Sequence, residues 1–204
     1  MISDFADEFW RGRAAATDAS IRWTDAKMLE VDVTIVESQL HDGDALLDLG
    51  CGTGDLFLPL LDHLGSVTAV DMIPEFLDRI PVDPKITTVR SKVGEFVPVA
   101  PFDVAVMFGV VTHLSLEQET AAYRVLRAAV PAGTVIVKNQ CGRDADVDVD
   151  RWSEAFASRY VGRYPHVSRQ AERLAEVFSS VDVVPYPEAM NQWPDSVHVA
   201  FICR

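Results

Sequence analysis

The stretch Ala45-Leu46-Leu47-Asp48-Leu49-Gly50-Cys51-Gly52-Thr53-Gly54-Asp55-Leu56 passes from a short apolar run through three alternating glycines into a second apolar run. The first run is short enough for a buried strand, and Leu56-Phe57-Leu58 predicts the start of a helix. Glycines allow the backbone to turn with positive φ and allow a ligand to approach it closely. A strand, a glycine turn and a helix N-terminus in this order are typical of a nucleotide-binding element.

The glycine spacing separates this turn from the common dinucleotide site. Gly50, Gly52 and Gly54 follow a G-x-G-x-G pattern, whereas dinucleotide-binding domains seat a pyrophosphate on G-x-G-x-x-G. Asp55 stands where the helix would begin, and its carboxylate would repel a phosphate. The turn therefore favours a ligand that carries an amino group and a ribose.

The segment Asp48-Leu49-Gly50-Cys51-Gly52-Thr53-Gly54 resembles the first motif of class I S-adenosylmethionine-dependent methyltransferases, small-molecule type. The resemblance implies S-adenosyl-L-methionine as cofactor, and it extends over most of residues 42–204. Three other classes stay open. A nicotinamide-dependent oxidoreductase is opposed by the glycine spacing and by Asp55. A spermidine-synthase-like aminopropyl transferase would need an acidic polyamine site, and the third class is a non-catalytic cofactor-binding module.

Length and composition narrow the setting of the protein. The 204 residues carry a net charge of −13, which argues against a nucleic-acid partner because phosphate binding needs a basic face. No apolar run approaches the ~20 residues of a membrane span, and the start Met-Ile-Ser-Asp is not a basic signal sequence. The three cysteines show neither a metal-type pairing nor a disulfide framework, which favours the cytoplasm and no metal.

Strand-like and helix-like segments alternate after the glycine turn. Strands are predicted at 66–71, 86–89, 102–108 and 134–137, and helices at 74–80 and 115–130; this order indicates an α/β doubly wound sheet. The runs 181–184 and 197–202 have no helix between them and should pair antiparallel. With the resemblance, this predicts a mostly parallel seven-stranded sheet with an antiparallel last strand, in a Rossmann-like methyltransferase fold. Residues 1–204 are expected to form one domain, with 1–41 as a helical arm and 139–169 as a lid.

The resemblance also assigns cofactor-binding residues at the carboxyl ends of the strands. Asp71 would accept hydrogen bonds from both ribose hydroxyls. Met72 would lie against the adenine. Asp48 and Gly50 would surround the amino-acid end, and the backbone of Phe108 would contact that same end. The full predicted set is Asp48, Gly50, Gly52, Gly54, Asp71, Met72, Val93, Gly94 and Phe108. One position departs from the family pattern: Lys92 stands where an adenine-binding Asp is common, so backbone groups near Val93 and Gly94, or Glu95, would hold the adenine.

The arm and the lid are the candidate substrate-binding segments. The connection from Lys138 to Arg169 is too long for an ordinary loop and collects arginines in an otherwise acidic chain. If it is helical, Arg159 and Arg163 share a face and could bind an anionic group, a carboxylate, phosphate or phosphonate. The alternative is a solvated helix whose arginines pair with residues 144–150. The predicted substrate-binding set is Arg22, Trp23, Asn139, Arg159, Arg163, Tyr186 and Trp193.

His113, which follows the fourth strand, is the candidate general base, because an imidazole has a suitable pKa. A structural role at the cofactor edge is the alternative. His166 and Tyr164 in the lid are further catalytic candidates, whereas His198 is interpreted as core packing. The predicted reaction is O-methylation of a hydroxyl or acid group of a small anionic metabolite or natural-product intermediate, by a monomer or homodimer without nucleic-acid or membrane partners. N-methylation and sugar O-methylation are the alternatives.

Overall fold

The computed structural model describes residues 2–15, 26–154, 157–191 and 193–204. The elements follow the predicted alternation of strands and helices. The helices are α1 (Ile2–Ala14), α2 (Ala26–Glu37), α3 (Pro74–Leu77), α4 (Leu116–Ala129) and α5 (Val167–Ala175). The strands are β1 (Asp44–Leu49), β2 (Leu64–Asp71), β3 (Ile86–Arg90), β4 (Val104–Phe108), β5 (Thr134–Gly142), β6 (Val147–Ser153), β7 (Ser158–Tyr164), β8 (Val181–Pro185) and β9 (Ser196–Cys203).

Seven strands form one sheet in the order β3-β2-β1-β4-β5-β9-β8. The first five run parallel, and β9 lies antiparallel between β5 and β8. Strand order reverses between β1 and β4, and ligands of such sheets bind outside the carboxyl ends of the strands at this point. The predicted Rossmann-like methyltransferase fold is confirmed.

Each face of the sheet has its own hydrophobic core, because side chains alternate along a strand. On one face, Leu47 and Leu49 of β1 join a buried cluster with Tyr123 and Leu126 of α4. On the other face, Leu46 joins a cluster that includes residues of α2. Helix α4 begins at a capping box, in which Ser115 and Gln118 bond to each other's backbone N–H.

Two predicted elements differ in the structure. The helix expected from Leu56 is only a 3-10 turn, Leu58–Leu60. Pro59 lacks the N–H that the fourth residue of such a helix would donate, so the chain turns and enters β2 at Leu64. The turn therefore offers no helix N-terminus to a ligand.

The segment expected to act as a lid contains a β-hairpin, so the helix considered for Arg159 and Arg163 does not form. Strand β6 pairs antiparallel with β7 from Val147↔Tyr164 to Ser153↔Ser158. Valines alternate with polar residues at 147–150, a pattern that fits a strand with one face packed and the other exposed.

No helix in the described part of the chain is long and apolar enough to cross a membrane.

Candidate functional site

A cavity of about 940 Å³ lies at the carboxyl ends of the parallel strands. Small-molecule and cofactor pockets usually fall between about 300 and 1,000 Å³. Its lining comes from the ends of β1, β2, β4 and β5, from the segment after β3, and from α1 and α2, which lie over it. The N-terminal arm therefore contributes to the wall of the cavity.

The glycine turn is fixed by the carboxylate of Asp71. The backbone N–H of Gly52 donates to Asp71 Oδ2 at 2.9 Å, and that of Ile73 donates to Oδ1 at 2.9 Å. Burial raises the pKa of Asp71, and backbone hydrogen bonds from Ile73, Gly52 and Met72 oppose that rise. The carboxylate thus joins the ends of β1 and β2 while it lines the cavity.

Two positions of the turn require glycine, because the backbone has a positive φ there and neighbouring side chains leave no room for a Cβ. Gly50 has φ +87°, and a Cβ there would lie 2.4 Å from Val110 Cγ2. Gly54 has φ +82°, and a Cβ there would lie 2.7 Å from Phe57 Cζ. Gly54 is not among the residues that line the cavity, so it serves the turn itself.

The other predicted cofactor residues meet in one place. The cavity is lined by Asp48, Gly50, Gly52, Asp71, Met72, Val93, Gly94 and Phe108. Cys51 lies among them, and burial followed by the charges of Asp48 and Asp71 raises its pKa, so the thiol stays protonated. Lys92 and Glu95 also line the cavity, next to the predicted adenine contacts.

His113 lies in an aromatic cluster formed by Phe9, Trp10, His113 and Tyr160, which connects α1, the turn after β4 and strand β7. The ring centroid of His113 is 5.3 Å from that of Trp10 and 5.6 Å from that of Tyr160. Burial lowers the pKa of His113 to about 4, and a hydrogen bond with the backbone of Val161 opposes this. The imidazole is therefore neutral at pH 7 and only weakly basic, and the general-base role stays a prediction.

The hairpin arginines are paired with carboxylates outside the cavity. Arg159 binds Asp150 through two hydrogen bonds of 2.7 Å, and it is exposed. Arg163 donates to the buried Glu119 at 2.5 Å. Neither arginine lines the cavity. The alternative of arginine pairing within the hairpin holds for Arg159 and Asp150.

Five further predicted residues also lie away from the cavity lining: Asn139, Tyr164, His166, Tyr186 and Trp193. Asn139 is fully buried, and alternation along β5 turns it to the sheet face opposite its neighbours Lys138 and Gln140, which line the cavity. Trp193 stacks on Arg151, whose guanidinium carbon is 4.4 Å from the ring centroid. His166 caps α5, and its ring contacts Ser168 at 2.9 Å.

Tyr164 is buried in the hairpin beside Tyr160. Burial raises the pKa of Tyr164 most, and the neighbouring Tyr160 raises it further. Tyr160 lines the cavity in its place. The predicted substrate residues Arg22 and Trp23 lie outside the described residues.

A group of polar residues that the sequence did not indicate lines the cavity beyond β4. It comprises Asp32 of α2, Lys138 and Gln140 of β5, and His198 of β9. Lys138 Nζ lies 3.4 Å from Asp32 Oδ1, and the Tyr186 hydroxyl donates to the same oxygen at 2.6 Å. Tyr186 therefore supports this group from behind. His198, interpreted from the sequence as core packing, reaches the cavity, and burial followed by the charge of Lys138 lowers its pKa to about 4.

Comparison with known proteins agrees with this geometry. Residues 46–133 match the family model described as a methyltransferase domain. The chain is 27% identical over 137 residues to nodulation protein S of Rhizobium tropici. That alignment covers 64% of this chain and 54% of the relative, so the chain spans about half the length of this curated protein.

Solved structures share the fold across nearly the whole chain. The 1,6-didemethyltoxoflavin-N1-methyltransferase of Burkholderia thailandensis, solved with 1,6-didemethyltoxoflavin and S-adenosylhomocysteine, has a TM-score of 0.71 at 23% identity, over 99% of this chain and 86% of that chain. The DhpI-SAM-HEP complex has a TM-score of 0.70 at 16% identity, over 98% and 96%. The glycopeptide N-methyltransferase MtfA with S-adenosylhomocysteine has a TM-score of 0.68 at 14% identity, over 100% and 99%.

The sequence match and the fold agree with each other. Residues 46–133 match the methyltransferase-domain model, and the chain shares its fold with methyltransferases that are solved with S-adenosylmethionine or S-adenosylhomocysteine. The predicted resemblance is confirmed.

Proposed function

We propose that this protein is an S-adenosylmethionine-dependent methyltransferase that acts on a small molecule. The proposal rests on one observation: the backbone of the glycine turn donates a hydrogen bond to Asp71 beside the point where strand order reverses. Three carboxylates, Asp48, Asp71 and Glu95, line this part of the cavity. Such a lining suits a cofactor that carries a sulfonium and an ammonium group and disfavours a pyrophosphate.

Residues of the turn and of the neighbouring strand ends hold the cofactor. Asp71 accepts hydrogen bonds from the ribose hydroxyls, while its bonds to Gly52 and Ile73 keep the carboxylate oriented. Gly50 allows the positive φ that the turn needs and leaves room for Val110, which also lines the cavity. Backbone groups near Val93 and Gly94 contact the adenine. When bound, S-adenosylmethionine supplies an activated methyl group, so the protein mainly aligns the acceptor.

The aromatic cluster excludes water from the reacting groups. It joins α1 to strand β7 above the carboxyl edge, so helix α1 of the arm and the hairpin β6–β7 close this side of the cavity together. We propose that residues 1–204 form a single domain, in which the arm and the lid segment cover the cavity. His113 is held neutral in this cluster, which favours a positioning role over proton abstraction.

The acceptor is proposed to be a hydroxyl oxygen of a small metabolite or natural-product intermediate. An anionic acceptor was predicted from Arg159 and Arg163, and their ion pairs with Asp150 and Glu119 remove that support. A nitrogen acceptor is the second candidate, since two of the structural neighbours are named N-methyltransferases.

Calorimetric titration and thermal shift with S-adenosylmethionine, S-adenosylhomocysteine and NAD test the proposal. We expect stabilisation by the first two ligands and none by NAD. A methyl-release assay over small hydroxyl and amine compounds, with mass spectrometry of the product, then identifies the acceptor atom. Stabilisation by NAD alone would overturn the proposed function.

A further inference from the structure

One wall of the cavity is separate from the glycine turn. We call it the acceptor wall and define it as Met28, Leu29, Asp32, Lys138, Gln140 and His198. It is built by α2, β5 and β9, whereas the turn lies between β1 and β2. Lys138 pairs in register with Phe108 of β4, and Gln140 pairs with His198. The wall therefore begins at β5, the strand next to β4, and the amino-acid part of the methyl donor is expected at the end of β4.

The polar groups of this wall are fixed from behind. Tyr186 and Lys138 both contact the carboxylate of Asp32, whose residue is only 4% exposed. The amide of Gln140 donates to the buried hydroxyl of Ser196 at 2.8 Å. The backbone N–H of His198 donates to Asn191 Oδ1 at 2.9 Å, which holds the main chain that carries the imidazole. Groups held in this way are oriented before a ligand arrives, which reduces the entropic cost of binding.

The net charge of the acceptor wall is zero. The charges of Asp32 and Lys138 oppose each other within 3.4 Å, and Gln140 carries none. His198 is neutral because burial and the neighbouring ammonium disfavour its protonated form. An acceptor with a carboxylate or an ammonium group would bury a charge that this wall does not balance, and burying an unpaired charge is costly.

We propose that the acceptor wall binds the methyl acceptor and selects an uncharged hydrogen-bonding group, a hydroxyl or a ring N–H, over charged analogues. This inference rests on the proposed function and adds the substrate class. Asp32, Lys138 and His198 are specificity-determining residues, and Tyr186 is a positioning residue that acts through Asp32.

Charge substitutions in the wall test this selection. Matched amide, carboxylate and amine versions of phenolic, sugar and heteroaromatic compounds are compared by kcat/KM in a methyl-release assay. Wild-type protein should prefer the amides. Asp32→Asn leaves a net positive wall and should shift the carboxylate-to-amide ratio upward by at least about tenfold, and Lys138→Met should shift the amine-to-amide ratio likewise.

The double variant Asp32→Asn/Lys138→Met restores neutrality and should return the preference to the amides, which keeps the test decisive if a single variant folds poorly. Asp182→Asn removes a surface partner of Arg204 far from the cavity and is the matched control. The proposal is overturned if wild-type protein prefers carboxylates, turns over no uncharged compound, or keeps its ratios in the single variants. Calorimetry with S-adenosylhomocysteine separates these outcomes: failure of that binding counts against the proposed function, whereas normal binding assigns the failure to the wall.

Discussion

Alanine at Gly50 should disable the cofactor site by two independent effects. The residue has φ +87°, where a side chain costs about 1–2 kcal/mol. The added Cβ would also lie 2.4 Å from Val110 Cγ2, and overpacking of this kind costs about 1–3 kcal/mol. The sum is about 2–5 kcal/mol, and because ~1 kcal/mol shifts the melting temperature of a chain of this size by about 2–4 °C, we expect a loss of about 4–20 °C.

Gly43 offers a matched control for this substitution. It has φ +90°, and a Cβ there would meet nothing within 4 Å. Gly43→Ala therefore carries the backbone strain alone, about 1–2 kcal/mol, at an exposed site outside the cavity.

Calorimetric titration with S-adenosylhomocysteine at 25 °C separates the two variants, and thermal unfolding checks that both are folded. We expect Gly50→Ala to weaken the affinity by at least about tenfold, which is ~1.4 kcal/mol, and Gly43→Ala to leave it unchanged. Equal affinities in the two variants would refute the assignment of the glycine turn as the seat of the cofactor.

Three further predictions concern buried ionisable groups. Asp71→Asn replaces one acceptor oxygen with an NH₂ that cannot accept a backbone N–H, so S-adenosylhomocysteine should bind at least about tenfold more weakly by calorimetry; unchanged binding would contradict the assigned role. His113 protonates near pH 6.5 when unfolded and only near pH 4 when folded, so stability is lost as pH falls between these values, by about 3 kcal/mol. Urea unfolding of His113→Phe should show a smaller loss over that range, and an identical pH profile would count against it. Glu119→Gln leaves Arg163 and Arg173 without their buried carboxylate and should lower the free energy of unfolding by about 3–5 kcal/mol in urea titrations; a loss below about 1 kcal/mol would show that the pair is not structurally important.

That the proposed cofactor residues meet at one edge of the sheet could be predicted, because the sequence signals for it are local. The glycines stand within one turn, and Asp71 ends the next strand along the chain. Alternation of strands and helices fixes which strand ends meet, and the reversed pair at β8 and β9 follows from their short connection. In this half, the expected helix after the turn does not form, because Pro59 removes a hydrogen bond that the helix would need, and the apolar pattern alone does not show this.

The hairpin was mispredicted because residues four apart share a face in a helix and also in a strand. The spacing of Arg159 and Arg163 is therefore compatible with both. The partner that decides the role of Arg163 is Glu119, which lies 44 residues away in α4. Nothing in the local sequence indicates that pair, and the arginine cluster was consequently interpreted as ligand-binding.

The acceptor wall was missed for a related reason, and its position in the chain explains how specificity can vary in this fold. Asp32 and Lys138 are 106 residues apart, so only packing of α2 on β5 brings them together. The residues proposed to hold the cofactor fall within the matched stretch 46–133, whereas every residue of the acceptor wall lies outside it. Substitutions in the wall can therefore change the acceptor without touching the glycine turn, because separate sites without shared partners contribute almost independently. A match to the methyltransferase domain consequently identifies the methyl donor, and the acceptor has to be inferred from α2, β5 and β9.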